Sequence, residues 1–174
     1  VFENASIASL VVGFFIALAG ELIRFWGVSW AGSETRTTGS VGGSNLIISG
    51  PFAYVRNPLY VGNILMYFGL GVMSFALFPY LHIAAIVFFI LQYHLIIGEE
   101  ESFLLKKFGE QYKRFAANVP RFFPRITPFK DETIPQPVVS FTKGFKSEIR
   151  TLQAFVIVVI LIVVKWYLRV NNIL

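Results

Sequence analysis

Residues 59–98 read LYVGNILMYFGLGVMSFALFPYLHIAAIVFFILQYHLIIG, forty consecutive positions without a charged side chain. A helix needs about 20 apolar residues to cross the hydrocarbon core of a bilayer, so this stretch is long enough for two spans. Pro79 lies near its middle, and proline is well tolerated in the first turn of a helix. We therefore predict membrane helices over about 59–78 and 80–97, joined as a tight antiparallel hairpin.

Two further uncharged stretches lie on either side, at residues 5–20 and 152–164. They predict membrane helices over about 6–26 and 151–168. Only 14% of the 174 residues are charged and 55% are apolar, whereas about a quarter of the residues of a soluble domain carry charge. We expect an all-α, polytopic transmembrane protein of about four membrane helices, forming a single membrane domain over residues 1–174.

Long linkers separate the predicted spans. The first, 27–58, is rich in glycine, serine and threonine, which favour turns, and we expect a loop packed at the membrane surface. In the second, 99–150, apolar residues recur at helical spacing, which predicts an amphipathic interfacial helix from about Glu100 to Asn118. Prolines between 120 and 137 then exclude regular helix, so an extended segment should lead to the last span.

The net charge of +5 is concentrated in these linkers, which hold twelve of the fifteen lysines and arginines. Because positively charged loops stay on the cytoplasmic side, we expect both linkers, and any functional site that they form, to face the cytoplasm, next to anionic membrane lipids. This explanation of the charge needs no nucleic-acid partner. The chain has no cysteine, which excludes disulfides and thiolate nucleophiles, and His82 and His94 lack neighbouring ligands that would predict a metal site. The chain opens at Val1 rather than Met, so we expect the native N-terminus to precede it.

The first candidate site is the entry to the second predicted helix, where residues 50–62 read GPFAYVRNPLYVG. Asn57 and Pro58 are a typical pair of helix cap and first-turn residue, which is a purely structural explanation. It leaves Arg56 unexplained. An arginine beside a helix N-terminus can bind either a lipid phosphate or the carboxylate of a ligand.

The second candidate is a group of three carboxylates at the membrane boundary, Glu99, Glu100 and Glu101. They can form a solvated helix end. Alternatively, one or two of them turn inward, where a carboxylate can accept hydrogen bonds from an amine or a ribose, or offset a cationic sulfonium. Ionisable groups near membrane depth are often functional.

Four short motifs carry a family resemblance. RNPLYVG at 56–62 resembles the R-H-P-x-Y-x-G signature of the isoprenylcysteine carboxyl methyltransferases and their phospholipid methyltransferase relatives. EESFLLKKFGEQY at 100–112 is similar to their E-E-x-x-L-x-x-x-F-G-x-x-Y, and VPRFFP at 119–124 to their V-P-x-x-x-P ending. GELIRFW at 20–26 resembles a G-x-x-x-R-x-W stretch on the preceding helix. The similarity covers about 20–124, in the family's order.

The resemblance implies that S-adenosylmethionine is the cofactor, with S-adenosylhomocysteine as its product, in a binding core over about 50–124. A lipophilic acceptor, such as an isoprenylcysteine-type carboxylate or a membrane lipid, would approach from the bilayer. Arg56 and Glu100 would act in catalysis, Arg56 by holding a carboxylate and Glu100 by accepting the proton of an amine acceptor. The implied cofactor-binding residues are Tyr54, Arg56, Asn57, Pro58, Tyr60, Gly62, Glu100 and Glu101.

The chain departs from the family pattern at two places. Asn57 stands where the family has histidine, so this position offers no imidazole base. The last predicted helix, 151–168, follows the point where many relatives end. Two other functions remain open: an NADPH-dependent membrane reductase of the sterol or steroid type, which has a similar arginine motif but not the glutamate motif, and a non-catalytic membrane subunit of the same fold.

Overall fold

The structure, a computed structural model, describes residues 5–32 and 45–173. Within these ranges a 3₁₀ helix, Gly50–Ala53, precedes the second of five α-helices, and no residue lies in a β-strand. The all-α prediction is therefore confirmed. The helices are α1 (Ile7–Ala31), α2 (Pro58–Ser74), α3 (Tyr80–Phe108), α4 (Glu110–Asn118) and α5 (Phe141–Val170).

Three of these helices, α1, α3 and α5, are long and apolar enough to cross a bilayer. The fourth apolar helix, α2, has 17 residues, or about 26 Å at 1.5 Å per residue. This length is at the lower limit for a span, because the hydrocarbon core is about 30 Å thick. The chain is thus a polytopic helical membrane protein, with α2 shorter than predicted.

The boundaries of the predicted helices need correction at both ends of the chain. α1 continues beyond residue 26 to Ala31, and α5 begins well before residue 151. The early start of α5 has a local cause, since the Ser140 side chain caps it by accepting a hydrogen bond from the backbone N–H of Lys143. The charged first turns of α5 therefore belong to the helix and not to the linker.

The predicted interfacial helix over 100–118 is divided into two parts. α3 continues through the three glutamates, and Gly109, with a φ of 52°, ends it. Glycine adopts this left-handed conformation without the steric penalty that a Cβ would bring. The glutamates consequently lie on the long helix α3, and only Glu110–Asn118 forms a separate helix.

α2 and α3 form the predicted antiparallel hairpin. Near its tip, a Cβ added at Gly71 would lie 3.0 Å from Nε2 of His82. Further along, the rings of Tyr67 and Phe89 stack with centroids 5.2 Å apart. These contacts pair positions of decreasing number on α2 with positions of increasing number on α3, as the hairpin requires.

The closest backbone-to-backbone approach among the described helices joins α1 to α2 through small residues. A Cβ added at Gly69 would lie 2.3 Å from the backbone nitrogen of Ala17, and one added at Gly20 would lie 2.5 Å from the carbonyl oxygen of Gly62. Small residues let two helix backbones approach closely, which is a common basis of helix association in membranes. α1 and α2 therefore form the rigid centre of the bundle.

The described parts of the two linkers meet at one end of the bundle. The backbone N–H of Ile48 donates to Oε1 of Gln136 at 2.8 Å, and the N–H of Ser140 donates to the carbonyl of Ser29 at 2.9 Å. Residues 120–140 contain no helix, as their prolines predict. Arg36 and most of the glycine-rich part of the first linker lie outside the described residues. The apolar cluster between the linkers consists of Leu46, Ile48, Tyr112, Phe115, Val119 and Ile134.

Candidate functional site

The arginine motif is held in place by the segment that follows α4. The backbone N–H of Arg56 donates to the carbonyl of Pro120 at 2.8 Å, and the N–H of Arg125 donates to the carbonyl of Tyr54 at 3.0 Å. The extended linker therefore runs alongside the motif. The arginine motif at 56–62 and the V-P-x-x-x-P motif at 119–124, separated by more than fifty residues in the sequence, are therefore adjacent in space.

Asn57 and Pro58 form the junction between this linker and α2. Pro58 is the first residue of the helix, as predicted, but the Asn57 side chain makes no capping hydrogen bond. Its Nδ2 instead donates to the carbonyl of Arg121 at 3.2 Å. Asn57 therefore occupies the N-cap position as predicted, but its side chain does not cap the helix, because the neighbouring linker offers the amide an acceptor outside the helix.

The arginine motif and the glutamate pair come into direct contact. Nη1 of Arg56 lies 3.0 Å from Oε1 of Glu101, and both side chains are mostly buried. The hydroxyl of Tyr60 donates to Oε1 of Glu100 at 2.8 Å. Glu99, by contrast, is exposed. Four of the predicted site residues thus form one charged cluster, where the start of α2 lies beside the C-terminal part of α3.

Arg121 completes this cluster and was not predicted as a site residue. Its Nε and Nη2 contact the two carboxylate oxygens of Glu101 at 3.0 and 2.5 Å. The carboxylate raises the pKa of the Arg121 guanidinium by this hydrogen bonding. Glu101 consequently lies between two guanidinium groups. The only sequence signal was the position of Arg121 inside the V-P-x-x-x-P stretch.

Tyr112 of α4 lies next to the cluster, near Arg56 and Glu101. Its side chain is buried. Burial raises the pKa of its hydroxyl, and the negative charge of Glu101 raises it further. The neutral phenol is therefore the form that this site stabilises.

Tyr54 and Gly62 lie apart from the charged cluster. The ring of Tyr54 packs beside Trp26, with centroids 6.2 Å apart. Gly62 faces α1, where an added Cβ would lie 2.6 Å from Cγ of Arg24. In this structure both residues pack the motif against α1, which fixes the position of the residues between them.

A second polar cluster lies deeper in the bundle, around Arg24 of α1. Nη2 of Arg24 donates to both carboxylate oxygens of Glu148 at 2.9 and 3.0 Å, and Nη1 donates to Oδ1 of Asn63. Nε of Arg24 also lies 3.8 Å from Oε2 of Glu21, three residues earlier on the same helix. Glu148 was not predicted as a site residue. The sequence gives one indication of its role: it is the single acidic residue in the otherwise basic first turns of α5.

No group of three or more His, Cys, Asp or Glu side chains in the described part of the chain is arranged to hold a metal ion. His82 packs edge-on against the rings of Phe68 and Phe78. The chemistry available at the motif cluster is therefore that of guanidinium, carboxylate, phenol and amide groups. This set can bind a zwitterionic ligand through both of its charges.

The chain belongs to the phospholipid methyltransferase family, whose profile matches residues 8–111. This match runs from α1 to the start of α4 and includes both Arg56 and the glutamate pair. The resemblance inferred from the motifs is thereby confirmed. α5 lies outside the matched range.

Two curated relatives are bacterial metal-resistance proteins by name. The cobalt-zinc-cadmium resistance protein CzcN of Cupriavidus metallidurans is 36% identical over 118 residues, which is 66% of this chain and 52% of the relative. The nickel-cobalt-cadmium resistance protein NccN of Alcaligenes xylosoxydans xylosoxydans is 32% identical over 130 residues, 74% of this chain and 55% of the relative. The chain thus spans about half the length of these relatives. No solved structure matches it significantly.

Proposed function

We propose that this protein transfers a methyl group from S-adenosylmethionine to a lipophilic acceptor at the interface between membrane and cytosol. The observation that carries the proposal is the direct contact between the arginine motif and the glutamate pair. Arg56 lies 3.0 Å from Glu101, and Tyr60 hydrogen bonds to Glu100 at 2.8 Å. Membership in a methyltransferase family supports the reaction class.

The residues of the cluster fit the charges of S-adenosylmethionine, which has a carboxylate, an ammonium group and a sulfonium. Arg56 would bind the carboxylate, while Glu100 and Glu101 would face the cationic groups or the ribose. Because Arg56 already pairs with Glu101, cofactor binding would exchange one carboxylate for another at its guanidinium. Arg121 would then keep Glu101 neutralised, since it contacts both carboxylate oxygens. Tyr54, Asn57, Pro58 and Gly62 would hold the backbone that presents Arg56 and Tyr60.

The bound cofactor supplies an activated methyl group, which leaves sulfur without its bonding electron pair and forms a new bond to a lone pair of the acceptor. A carboxylate acceptor is already ionised and needs no base. An amine acceptor must lose a proton, which Glu100 would accept. The remaining task of the chain is to align the two partners and exclude water, and the buried position of the cluster suits that task.

The acceptor reaches this site from the bilayer, and the site faces the cytoplasm. The support is the position of the cluster at the entry of α2 and at the end of the apolar part of α3. The same end of the bundle holds the basic linkers, which the positive-inside rule assigns to the cytoplasm.

The test uses the full chain in proteoliposomes with S-adenosylmethionine labelled with tritium on its methyl group, and lipid extracted from the source membranes as acceptor. We expect label in the organic phase. Release of volatile methanol by base would identify a carboxylate acceptor, whereas base-stable label would identify an amine or a hydroxyl. An organic phase with no more label than that of liposomes without the protein would refute the proposal.

A second candidate function is a non-catalytic membrane subunit. Two observations favour it: Asn57 replaces the family histidine and binds the carbonyl of Arg121, and the relatives are named for metal resistance. A folded chain that binds no S-adenosylmethionine would support this alternative. The family match weakens the alternative of an NADPH-dependent reductase. Binding of NADPH instead of S-adenosylmethionine would support that alternative.

A further inference from the structure

The last helix carries one fully buried charge. Glu148 of α5 has no exposed surface, and both of its carboxylate oxygens accept hydrogen bonds from Arg24 of α1. α5 lies outside the residues that match the family, so this ion pair attaches an additional helix to the family core. Removing one member of a buried ion pair leaves an uncompensated charge, which makes such a contact a strong constraint on both helices.

The same arginine determines the orientation of a side chain on α2. Nη1 of Arg24 donates to Oδ1 of Asn63. A guanidinium has only donors, so the amide of Asn63 turns its oxygen towards Arg24 and its nitrogen away from it. That nitrogen donates to the hydroxyl of Tyr93 on α3 at 3.0 Å. The ion pair therefore fixes the rotamer of Asn63, which in turn holds Tyr93.

Tyr93 directly contacts a residue of the candidate site. Its ring packs on the ring of Tyr60, with centroids 4.4 Å apart. The hydroxyl of Tyr60 donates to Glu100. A continuous series of contacts thus crosses α5, α1, α2 and α3, with the ring contact as its single step without a hydrogen bond. The series consists of Glu148, Arg24, Asn63, Tyr93, Tyr60 and Glu100.

We infer that Glu148 is a positioning residue: acting through Arg24 and the contacts beyond it, it fixes the orientation of Tyr60 and Glu100. α5 is then part of the scaffold of the site as well as a membrane helix. The effect on Tyr60 is a property of the folded chain alone. The effect on cofactor binding rests on the proposed function, and the two effects are measured separately.

The first measurement needs no ligand. 3-Fluorotyrosine is placed at Tyr60 of the full chain in detergent, and its ¹⁹F resonance is recorded. We expect the resonance to move in Glu148→Gln and to stay in place in Arg150→Gln, a change at an exposed residue of the same helix. The double variant Arg24→Leu/Glu148→Leu is made in a Glu21→Gln background, because Glu21 is buried and also pairs with Arg24 at 3.8 Å. No charge that pairs with Arg24 then loses its partner, so the protein should fold. This variant should move the resonance as well. An unchanged Tyr60 resonance in this folded double variant would overturn the inference.

The second measurement is a double-mutant cycle on the affinity for S-adenosylmethionine. Glu148→Gln should weaken binding about three- to tenfold in the wild-type background, and have almost no effect when Glu100→Gln is already present. Equal losses in both backgrounds would mean that Glu148 only stabilises the fold, which contradicts the inference. If the wild-type chain binds no S-adenosylmethionine, the proposed function fails, and the Tyr60 resonance alone decides whether Glu148 is coupled to the site.

Discussion

At the scale of single residues, the three adjacent glutamates of α3 have different environments. Successive residues of a helix point about 100° apart, so three in a row cannot all face one site. Glu99 is exposed, whereas Glu100 bonds to Tyr60 and Glu101 pairs with Arg56 and Arg121. Glu100 and Glu101 are also the two residues that occupy the glutamate positions of the E-E-x-x-L motif.

This difference predicts the effects of three substitutions on cofactor affinity. Glu100→Gln and Glu101→Gln should each weaken binding of S-adenosylmethionine about 10- to 150-fold, since a lost hydrogen bond to a charged group costs about 1.5–3 kcal/mol. Glu99→Gln is the matched control and should change the affinity little. Equilibrium binding of the three purified variants is the measurement. Small, equal effects at all three positions, or the largest effect at Glu99, would contradict the assignment.

The motif residues Arg56, Tyr60, Glu100 and Glu101 could be identified from the sequence because each belongs to a short pattern. Arg121 was harder, since its role depends on the path of a proline-rich linker that no local pattern determines. Asn57 illustrates the same limit. Its sequence context favours a helix cap, but a carbonyl from a distant segment provides the partner that it actually uses.

At the scale of secondary-structure elements, α1 and α2 have the closest backbone-to-backbone approach among the described helices. An added Cβ at Gly69 would lie 2.3 Å from the nitrogen of Ala17 and 2.6 Å from the carbonyl oxygen of Gly13. Both are backbone atoms, so they can move only if the helices separate. The positions of Arg24 and Asn63, which face each other across this contact, depend on the same close approach.

Gly69→Ala should therefore destabilise the chain by about 1–3 kcal/mol, the usual cost of overpacking. Gly98→Ala on α3 is the matched control, because an added Cβ there meets nothing within 4 Å. It should be neutral or slightly stabilising, since alanine favours helix over glycine by about 1 kcal/mol. Thermal unfolding in one detergent gives both values. Equal melting temperatures for the two variants would show that α1 and α2 are not packed this closely.

The existence of the apolar helices was predictable from their uncharged stretches, but their ends were not. α5 begins in a charged segment because of the Ser140 cap and continues into the apolar stretch without a break. α3 continues through the glutamates because the conformation that ends the helix occurs at Gly109, after them. Hydropathy locates the part of a helix that suits a membrane, whereas capping and glycine conformation determine where the helix begins and ends.

At the scale of the whole molecule, the described parts of both linkers lie at one end of the bundle and the tip of the hairpin lies at the other. The positive-inside rule therefore predicts that the linkers are cytoplasmic. The chain has no native cysteine, so single cysteines at Asn45, Thr127 and Tyr80 can be labelled in intact cells. Asn45→Cys and Thr127→Cys should be protected from a membrane-impermeant maleimide, and the exposed tip residue in Tyr80→Cys should react. Reaction of a linker cysteine and protection of the tip would reverse the orientation.

The contact between α5 and the family core could not be predicted, because Arg24 and Glu148 are 124 positions apart. Each residue has a simple local explanation, as a snorkelling arginine or as one more charge in a linker. Only the packing of α5 against α1 brings them together. The motif residues of the candidate site could thus be proposed from the sequence, while the contact between α5 and α1 required the fold.

The central claim is that the cluster of Arg56, Tyr60, Glu100 and Glu101 binds S-adenosylmethionine, and isothermal titration calorimetry of the detergent-solubilised chain tests it most directly. We expect S-adenosylmethionine and S-adenosylhomocysteine to bind with micromolar dissociation constants, about −8 kcal/mol, while NADPH gives no heat. Arg56→Gln should abolish the heat, and a folded Glu99→Gln variant should retain it. A folded wild-type chain that gives no binding heat and no thermal shift with either methyl-transfer ligand would contradict the account.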